Sequence, residues 1–112
     1  AYLEDPYSPD RFEYHKGDAL EIANDFTESI DLVFVDLDKE GYPSALDMAE
    51  GLLESEGWLV ADNVLWDGKV ADESVDDEAT EAIRTFNDRL RADPWVASIL
   101  PIRDGIALAQ LD

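Results

Sequence analysis

The apolar positions of this chain change period along its length. "IDLVFVD", Ile30 to Asp36, is a short β-branched and aromatic run, the pattern of a buried strand. "YPSALDMAEGLLESEG" then places Ala45, Leu46, Ala49, Leu52 and Leu53 at helical spacing, with Pro43 in the first turn and Gly57 at the exit. "WLVAD" returns to a buried strand that, like the first, ends on aspartate. "EATEAIRTFNDRLRAD" carries Ala79, Ile83, Phe86 and Leu90 along one stripe, and Pro94 stops it. "WVASILPIRDGIALAQL" reads as two strands joined at the turn Asp104-Gly105. Upstream, "RFEYHKGDA" alternates Phe12, Tyr14 and Lys16 against Glu13 and His15, which predicts a strand over Arg11 to Lys16. "ALEIANDF" predicts a short helix, and Ala1 to Asp10 a frayed helix end and loop. The order β-α-β-α-β-loop-α-β-β predicts an α/β layer fold. Its sheet is expected to be mostly parallel, with an antiparallel hairpin at the C-terminal end.

Composition sharpens this picture. The 112 residues suffice for one domain, and 46% hydrophobic residues allow a packed core. Acidic residues outnumber basic ones 28 to 8, for a net charge of -20, so general affinity for nucleic acid or an anionic membrane is excluded. Acid spread evenly over the chain predicts a protein adapted to concentrated salt, where screening removes self-repulsion. The alternative is an ordinary acidic protein. With no cysteine and only His15, thiolate sites and a Ser-His-Asp triad lose support. No apolar run reaches the ~20 residues of a membrane helix, and a cytoplasmic location is expected.

The chemistry gathers where strands end. Ligands of open parallel sheets bind beyond the carboxyl ends of the strands, where this chain places Asp36 and Asp62-Asn63. On adjacent strands these residues are about 5 Å apart. Oxygen donors without His or Cys suit a hard cation, Mg²⁺ or Ca²⁺. For either aspartate alone, a capping or turn role explains the position as well. Lys39, one of three lysines, lies three residues past Asp36. It is expected either to pair with Asp38 or Glu40 at the surface, or to accept a proton beside the cation.

Taken together, "FVDLDKEGYP", "GWLVADNVLWDGKVAD", "AIRTFNDRLRADP" and "ILPIRDGIALAQ" resemble the cation-dependent class I S-adenosylmethionine O-methyltransferases, the family of the caffeoyl-CoA and catechol enzymes. The resemblance runs from about Arg11 to the C-terminus. It implies a Rossmann-like methyltransferase sheet in which Asp36, Asp62 and Asn63 bind the divalent metal and Lys39 is the general base. It also implies that Gly17, Asp18, Ala19 and Asp36 contact the S-adenosylmethionine cofactor. Trp66 falls in the loop that walls the substrate's aromatic ring, although simple packing explains it as well. The implied reaction transfers a methyl group to a hydroxyl of a small catechol-like aromatic substrate.

The resemblance also implies what does not match. Nothing here corresponds to the family's first strand, its Gly-rich turn or the acid that binds the cofactor ribose. Residues 1–112 therefore read as the C-terminal portion of an O-methyltransferase domain, lacking the first two strands of the sheet. Two functional expectations follow. One is the methyltransferase. The other is a non-catalytic fragment that keeps a cation site or self-associates through its sheet edge, which makes a homo-oligomer the expected state.

Overall fold

The computed structural model describes residues 13–26 and 29–112. The expectation of a loop over Ala1 to Asp10 lies outside these residues. A five-residue helix α1 (Ala19–Ala23) leads into β1 (Ile30–Val35), α2 (Tyr42–Leu52), β2 (Leu53–Asp62), α3 (Glu78–Leu90), β3 (Trp95–Leu100) and β4 (Ile106–Leu111). Short 3-10 turns at Lys39–Gly41 and Lys69–Ala71 interrupt the loops that follow β1 and β2.

The sheet order is β1-β2-β4-β3. β1 and β2 are parallel, because a helix must carry the chain back between them. β4 runs antiparallel to β2 and to β3, so it closes the hairpin and also fills the place beside β2. The expected α/β layering and C-terminal hairpin are both present. Among the described residues the parallel part of the sheet is the β1–β2 pair.

Three boundaries differ from the sequence reading. The expected Arg11–Lys16 strand does not form over its described part, since residues 13–16 join no ladder. Alternation alone cannot make a strand without a neighbour to accept its hydrogen bonds. Helix α2 ends at Leu52 rather than near Gly57, because Leu53 already has extended backbone and pairs with Ile30. Between Ile30 and Leu32 the partner register jumps from Leu53 to Trp58, so residues 54–57 bulge out of the ladder. Gly57 belongs to this bulge, where an added Cβ would lie 2.8 Å from the Glu54 carbonyl oxygen. The regular ladder begins at Trp58, where the apolar run predicted it. Finally, α3 closes at Leu90 rather than Asp93.

The core lies on one face of the sheet. Val35, Leu59, Ala61, Ala107, Ala109 and Leu111 point into it from the strands. Tyr42, Ala45, Leu46 and Ala49 of α2 and Ile83, Phe86 and Leu90 of α3 cover them. Asp77 caps α3 by accepting from the Thr80 amide at 3.1 Å. Arg89 ties the two long helices together. It donates to the Pro43 carbonyl at 3.2 Å and reaches Asp47 at 2.7 Å and Glu50 at 3.1 Å.

Candidate functional site

The β1–β2 register pairs Val35 with Ala61, so the next residues, Asp36 and Asp62, stand opposite one another just where the ladder ends. Both leave their strands at the carboxyl end, and neighbouring strands are separated by about 5 Å. Asp36 is exposed, whereas Asp62 and Asn63 are half-buried. Asn63 turns sharply, with φ +62°, and its amide donates to Asp62 Oδ1 at 2.7 Å. That left-handed turn swings the Asn63 side chain across the strand ends, where its Nδ2 donates to Asp104 Oδ2 at 3.2 Å.

The short turn after β1 brings Lys39 to the same place. Its Nζ donates to Tyr42 Oη at 2.9 Å and to Asn63 Oδ1 at 3.5 Å. The partners are therefore Tyr42 and Asn63 rather than the surface carboxylates Asp38 and Glu40. Tyr42 Oη in turn donates to the Asp62 carbonyl at 2.8 Å. Burial pushes the Tyr42 phenol above its ordinary range. The Lys39 ammonium opposes this, and the Asp36 and Asp62 carboxylates reinforce the rise. Lys39, Asp36 and Asp62 thus all act on one buried hydroxyl.

Trp66 closes the arrangement. Two cations approach its ring, with Lys39 Nζ 5.6 Å and Lys69 Nζ 5.1 Å from the ring centre. Leu37, Asp38, Lys39, Glu40, Asn63 and Trp66, with Ala79 behind them, line an open cleft of about 390 Å³. Trp66, Asp67 and Gly68 all have left-handed backbone, at φ +51°, +55° and +76°. Such a turn needs external support, and α3 supplies it. Arg84 donates to the carbonyls of Val70 at 3.2 Å, Lys69 at 3.0 Å and Asp72 at 2.8 Å. Asn87 donates to the Val64 carbonyl at 2.9 Å. We expect Arg84→Met to release this loop without unfolding the core. Hydrogen exchange at residues 69–72 should then rise at least tenfold, while exchange in β2 and β4 stays within twofold. Equal acceleration throughout the sheet would refute the local role of Arg84.

Of the residues singled out in the sequence, Lys39, Asn63 and Trp66 line this cleft, Asp36 and Asp62 stand at the adjoining strand ends without lining it, and the residues that hold them did not stand out. Tyr42 read only as a helix start and Asp104 only as a turn former. Arg84 lies off the apolar stripe of α3, where nothing in the periodicity sets it apart, whereas Asn87, four residues after Ile83, is buried beside that stripe, and its polarity there was the signal available. Gly17, Asp18 and Ala19 lie elsewhere. Gly17 has φ +140°, and Asp18 Oδ1 accepts from the Leu20 and Glu21 amides at 2.9 and 3.2 Å, capping α1. They do not line the cleft of Lys39 and Asn63. The Leu20 side chain nevertheless reaches the 37–41 turn, since a Cβ on Gly41 would lie 3.8 Å from Leu20 Cδ1.

The donor set can be tested against a hard cation. Among the described residues no group of three or more His, Cys, Asp and Glu side chains is arranged around a common point. A metal here would rest on the Asp36 and Asp62 carboxylates and on the amide oxygen of Asn63. Two carboxylates and one neutral oxygen, with room left for water, suit Mg²⁺ or Ca²⁺ in chemistry and in charge.

The sheet, the strand-end carboxylates and the flanking lysine belong to a chain of recognisable kinship. Residues 3–111 match the O-methyltransferase family, and the chain belongs to that family. It is 44% identical over 80 residues to a Dictyostelium discoideum protein called "Probable caffeoyl-CoA O-methyltransferase 2", covering 70% of this chain and 35% of that one. It is 37% identical over 103 residues to the catechol O-methyltransferase of Niastella koreensis, covering 83% of this chain and 47% of the relative. The crystal structure of the Bacillus cereus O-methyltransferase in complex with SAH superposes with a TM-score of 0.85 at 26% identity, over 98% of this chain and 55% of that one. The chain thus spans less than half of the length of the Dictyostelium and Niastella relatives and about half of the Bacillus cereus chain.

Proposed function

We propose that this chain carries the metal and substrate side of an S-adenosylmethionine-dependent O-methyltransferase that methylates a hydroxyl of a small catechol-like aromatic. The observation that supports this reading best is the convergence at the ends of β1 and β2, where Asn63 Oδ1 lies 3.5 Å from Lys39 Nζ and Asp36 faces Asp62 in register. Asp36, Asp62 and Asn63 would hold a divalent cation, Mg²⁺ or Ca²⁺. When bound, such a cation lowers the pKa of a coordinated hydroxyl and fixes its direction.

Lys39 is placed to take the hydroxyl proton at Nζ, and Tyr42 holds that nitrogen toward Asn63. Trp66 offers an aromatic wall to a planar substrate. S-adenosylmethionine would supply the methyl group in line with the oxygen, and this chain would contribute Gly17, Asp18, Ala19 and Asp36 to its site. The cytoplasm is the setting this reading implies, consistent with the lack of any described helix long and apolar enough to cross a membrane.

Calorimetry of Mg²⁺ and Ca²⁺ against the isolated chain tests the donor set. Asp62→Asn should weaken binding of the preferred ion at least tenfold, since it removes a charge from a site with only two. Unchanged affinity in Asp62→Asn and in Asp36→Asn would refute the site. Salt offers a separate test of the acidic surface. With a net charge of -20, self-repulsion should fall as the screening length shrinks from about 10 Å at 0.1 M to about 3 Å at 1 M. The melting temperature is therefore expected to rise by at least 5 °C between 0.1 and 2 M KCl. A flat or falling curve would refute salt adaptation.

A second reading is favoured by one observation. Among the described residues, β1 pairs with a strand on only one side. A non-catalytic chain that keeps its cation site and self-associates through that edge would give a homo-oligomer. A clean monomer in sedimentation at high salt would exclude it.

A further inference from the structure

Acidic residues outnumber basic ones 28 to 8, so the cations of this chain have carboxylates in excess to pair with. Arg84 pairs with Glu81, Arg89 with Asp47 and Glu50, and Arg91 with Asp88. Lys39 and Lys69 enter no ion pair among the described residues, and both approach the Trp66 ring. Lys39 Nζ is occupied by Tyr42 Oη and Asn63 Oδ1 of the strand-end site. The Lys69 ammonium makes no side-chain hydrogen bond among the described residues, and its contact is with the indole, 5.1 Å from the ring centre. Its backbone is fixed on both sides. The Lys69 amide donates to the Trp66 carbonyl at 2.9 Å, and the Lys69 carbonyl accepts from Arg84 at 3.0 Å and from the Asp72 amide at 3.1 Å. A pinned turn therefore presents this half-buried lysine beside Trp66. Asp77, on which Lys69 acts through space, is already engaged. Its carboxyl is held below the usual range first by the hydrogen bond from Thr80, and Lys69 adds a smaller part.

We propose that Lys69 is a specificity-determining residue, whose ammonium takes the carboxylate of a hydroxylated aromatic acid stacked on Trp66. This inference rests on the reading of the site given above and narrows its substrate class to aromatic acids. Trp66 Nε1 is buried without a hydrogen-bond partner among the described residues, so Trp66 offers the cleft its π face rather than a donor. Lys69 stands beside Trp66 and not in the cleft wall, where it meets a substituent that projects past the indole. The ring that both lysines approach limits how far apart they are. One aromatic acid bridges that separation, with its hydroxyl toward Lys39 and Asn63 and its carboxylate toward Lys69. The anion is expected to carry a single charge. Asp38 and Glu40 line the same cleft, in a chain of net charge -20, so a doubly charged phosphate ester is repelled more than one ammonium offsets. An ammonium half-buried against an indole is screened less than one in open solvent, which lets it tell an acid from a neutral ring.

Calorimetry of the chain with 3,4-dihydroxybenzoate and with its uncharged methyl ester, each with and without Mg²⁺, tests the inference. The acid should bind at least about threefold more tightly than the ester. Lys69→Met keeps the apolar stem beside Trp66 and removes the charge. It should weaken the acid to the level of the ester and leave the ester within about twofold. Lys69→Arg should retain the preference. An acid that binds no more tightly than its ester, or does not bind, overturns the inference. So does a preference that survives in Lys69→Met, or an equal loss of both ligands there, since Lys69 would then only support Trp66. Phenyl phosphate binding more tightly than benzoate would overturn the choice of a carboxylate. Mg²⁺ keeps the two readings apart. A preference indifferent to Mg²⁺ counts against the cation-assisted hydroxyl and leaves the role of Lys69 standing, whereas Mg²⁺-dependent binding without a preference does the reverse.

Discussion

Phe86→Ala should leave the chain without a cooperative melt at 37 °C. Phe86 has no exposed surface, and its ring meets Tyr42 edge-on with centroids 5.2 Å apart. Removing a buried phenylalanine costs about 3–5 kcal/mol, the lost transfer energy plus the cavity left behind. A domain of this size has about 5–15 kcal/mol in all, and with one sheet face bare among the described residues this one is expected near the lower end. The effect extends beyond stability. Tyr42 is the residue that holds Lys39 and the Asp62 carbonyl, so a cavity beside its ring should also loosen the strand-end site. Phe86→Leu fills most of the space and should cost less than half as much. Urea melts of the parent and both variants measure the difference. An alanine variant within 1 kcal/mol of the parent would show that α3 does not key into the core as described.

Gly105→Ala is the second large effect, and it acts on the site through the hairpin. Gly105 has φ +86°, a conformation that costs an ordinary residue about 1–2 kcal/mol. An added Cβ would also lie 2.5 Å from Leu65 Cγ and 3.0 Å from the Leu65 amide nitrogen. Overpacking of this kind costs a further 1–3 kcal/mol or so. The segment that must give way is the loop that follows Asn63. Gly105 and Asp104 accept from the Val64 and Leu65 amides at 3.2 and 2.8 Å, and the Asp104 side chain holds Asn63. Gly105→Ala should therefore lower stability and also weaken cation binding at least tenfold, although it touches no donor. Adding Leu65→Ala relieves part of the clash, so the double variant should be less unstable than the sum of the two single changes. Strict additivity in a double-mutant cycle would remove the steric argument.

Much of the fold is legible in the sequence for a simple reason. Ile30 to Asp36 and Trp58 to Asp62 are apolar runs with no other use, and the stripe Ala79, Ile83, Phe86, Leu90 admits only a helix. Misreadings fell where local pattern and pairing disagree. Leu52 and Leu53 continue the helical stripe of α2, but Leu53 is claimed by Ile30 across the ladder. The alternation over Arg11 to Lys16 is as good as that of any strand, yet its described part pairs with nothing.

The site divides in the same way. The sequence by itself determined which groups stand at the carboxyl ends of two strands, because a hydrophobic run that stops on aspartate fixes the depth of that carboxylate. Asp36, Asp62 and Asn63 were readable as strand-end groups on that basis and Lys39 by its spacing from Asp36, whereas Trp66 was singled out only through the family resemblance. Only the tertiary structure decided how they are held. Tyr42 reaches across 20 positions to the Asp62 carbonyl, Asp104 across 41 to the Asn63 amide group, and Arg84 across 12 to 15 to the carbonyls of the loop beside Trp66. Contacts at such separations leave no periodic trace, since they depend on where the sheet order β1-β2-β4-β3 sets the elements down. The same holds for the sheet face opposite the helices. Alternation shows that Phe34 and Trp58 share a side, but only the packing of both long helices against the other side reveals that this one is uncovered among the described residues.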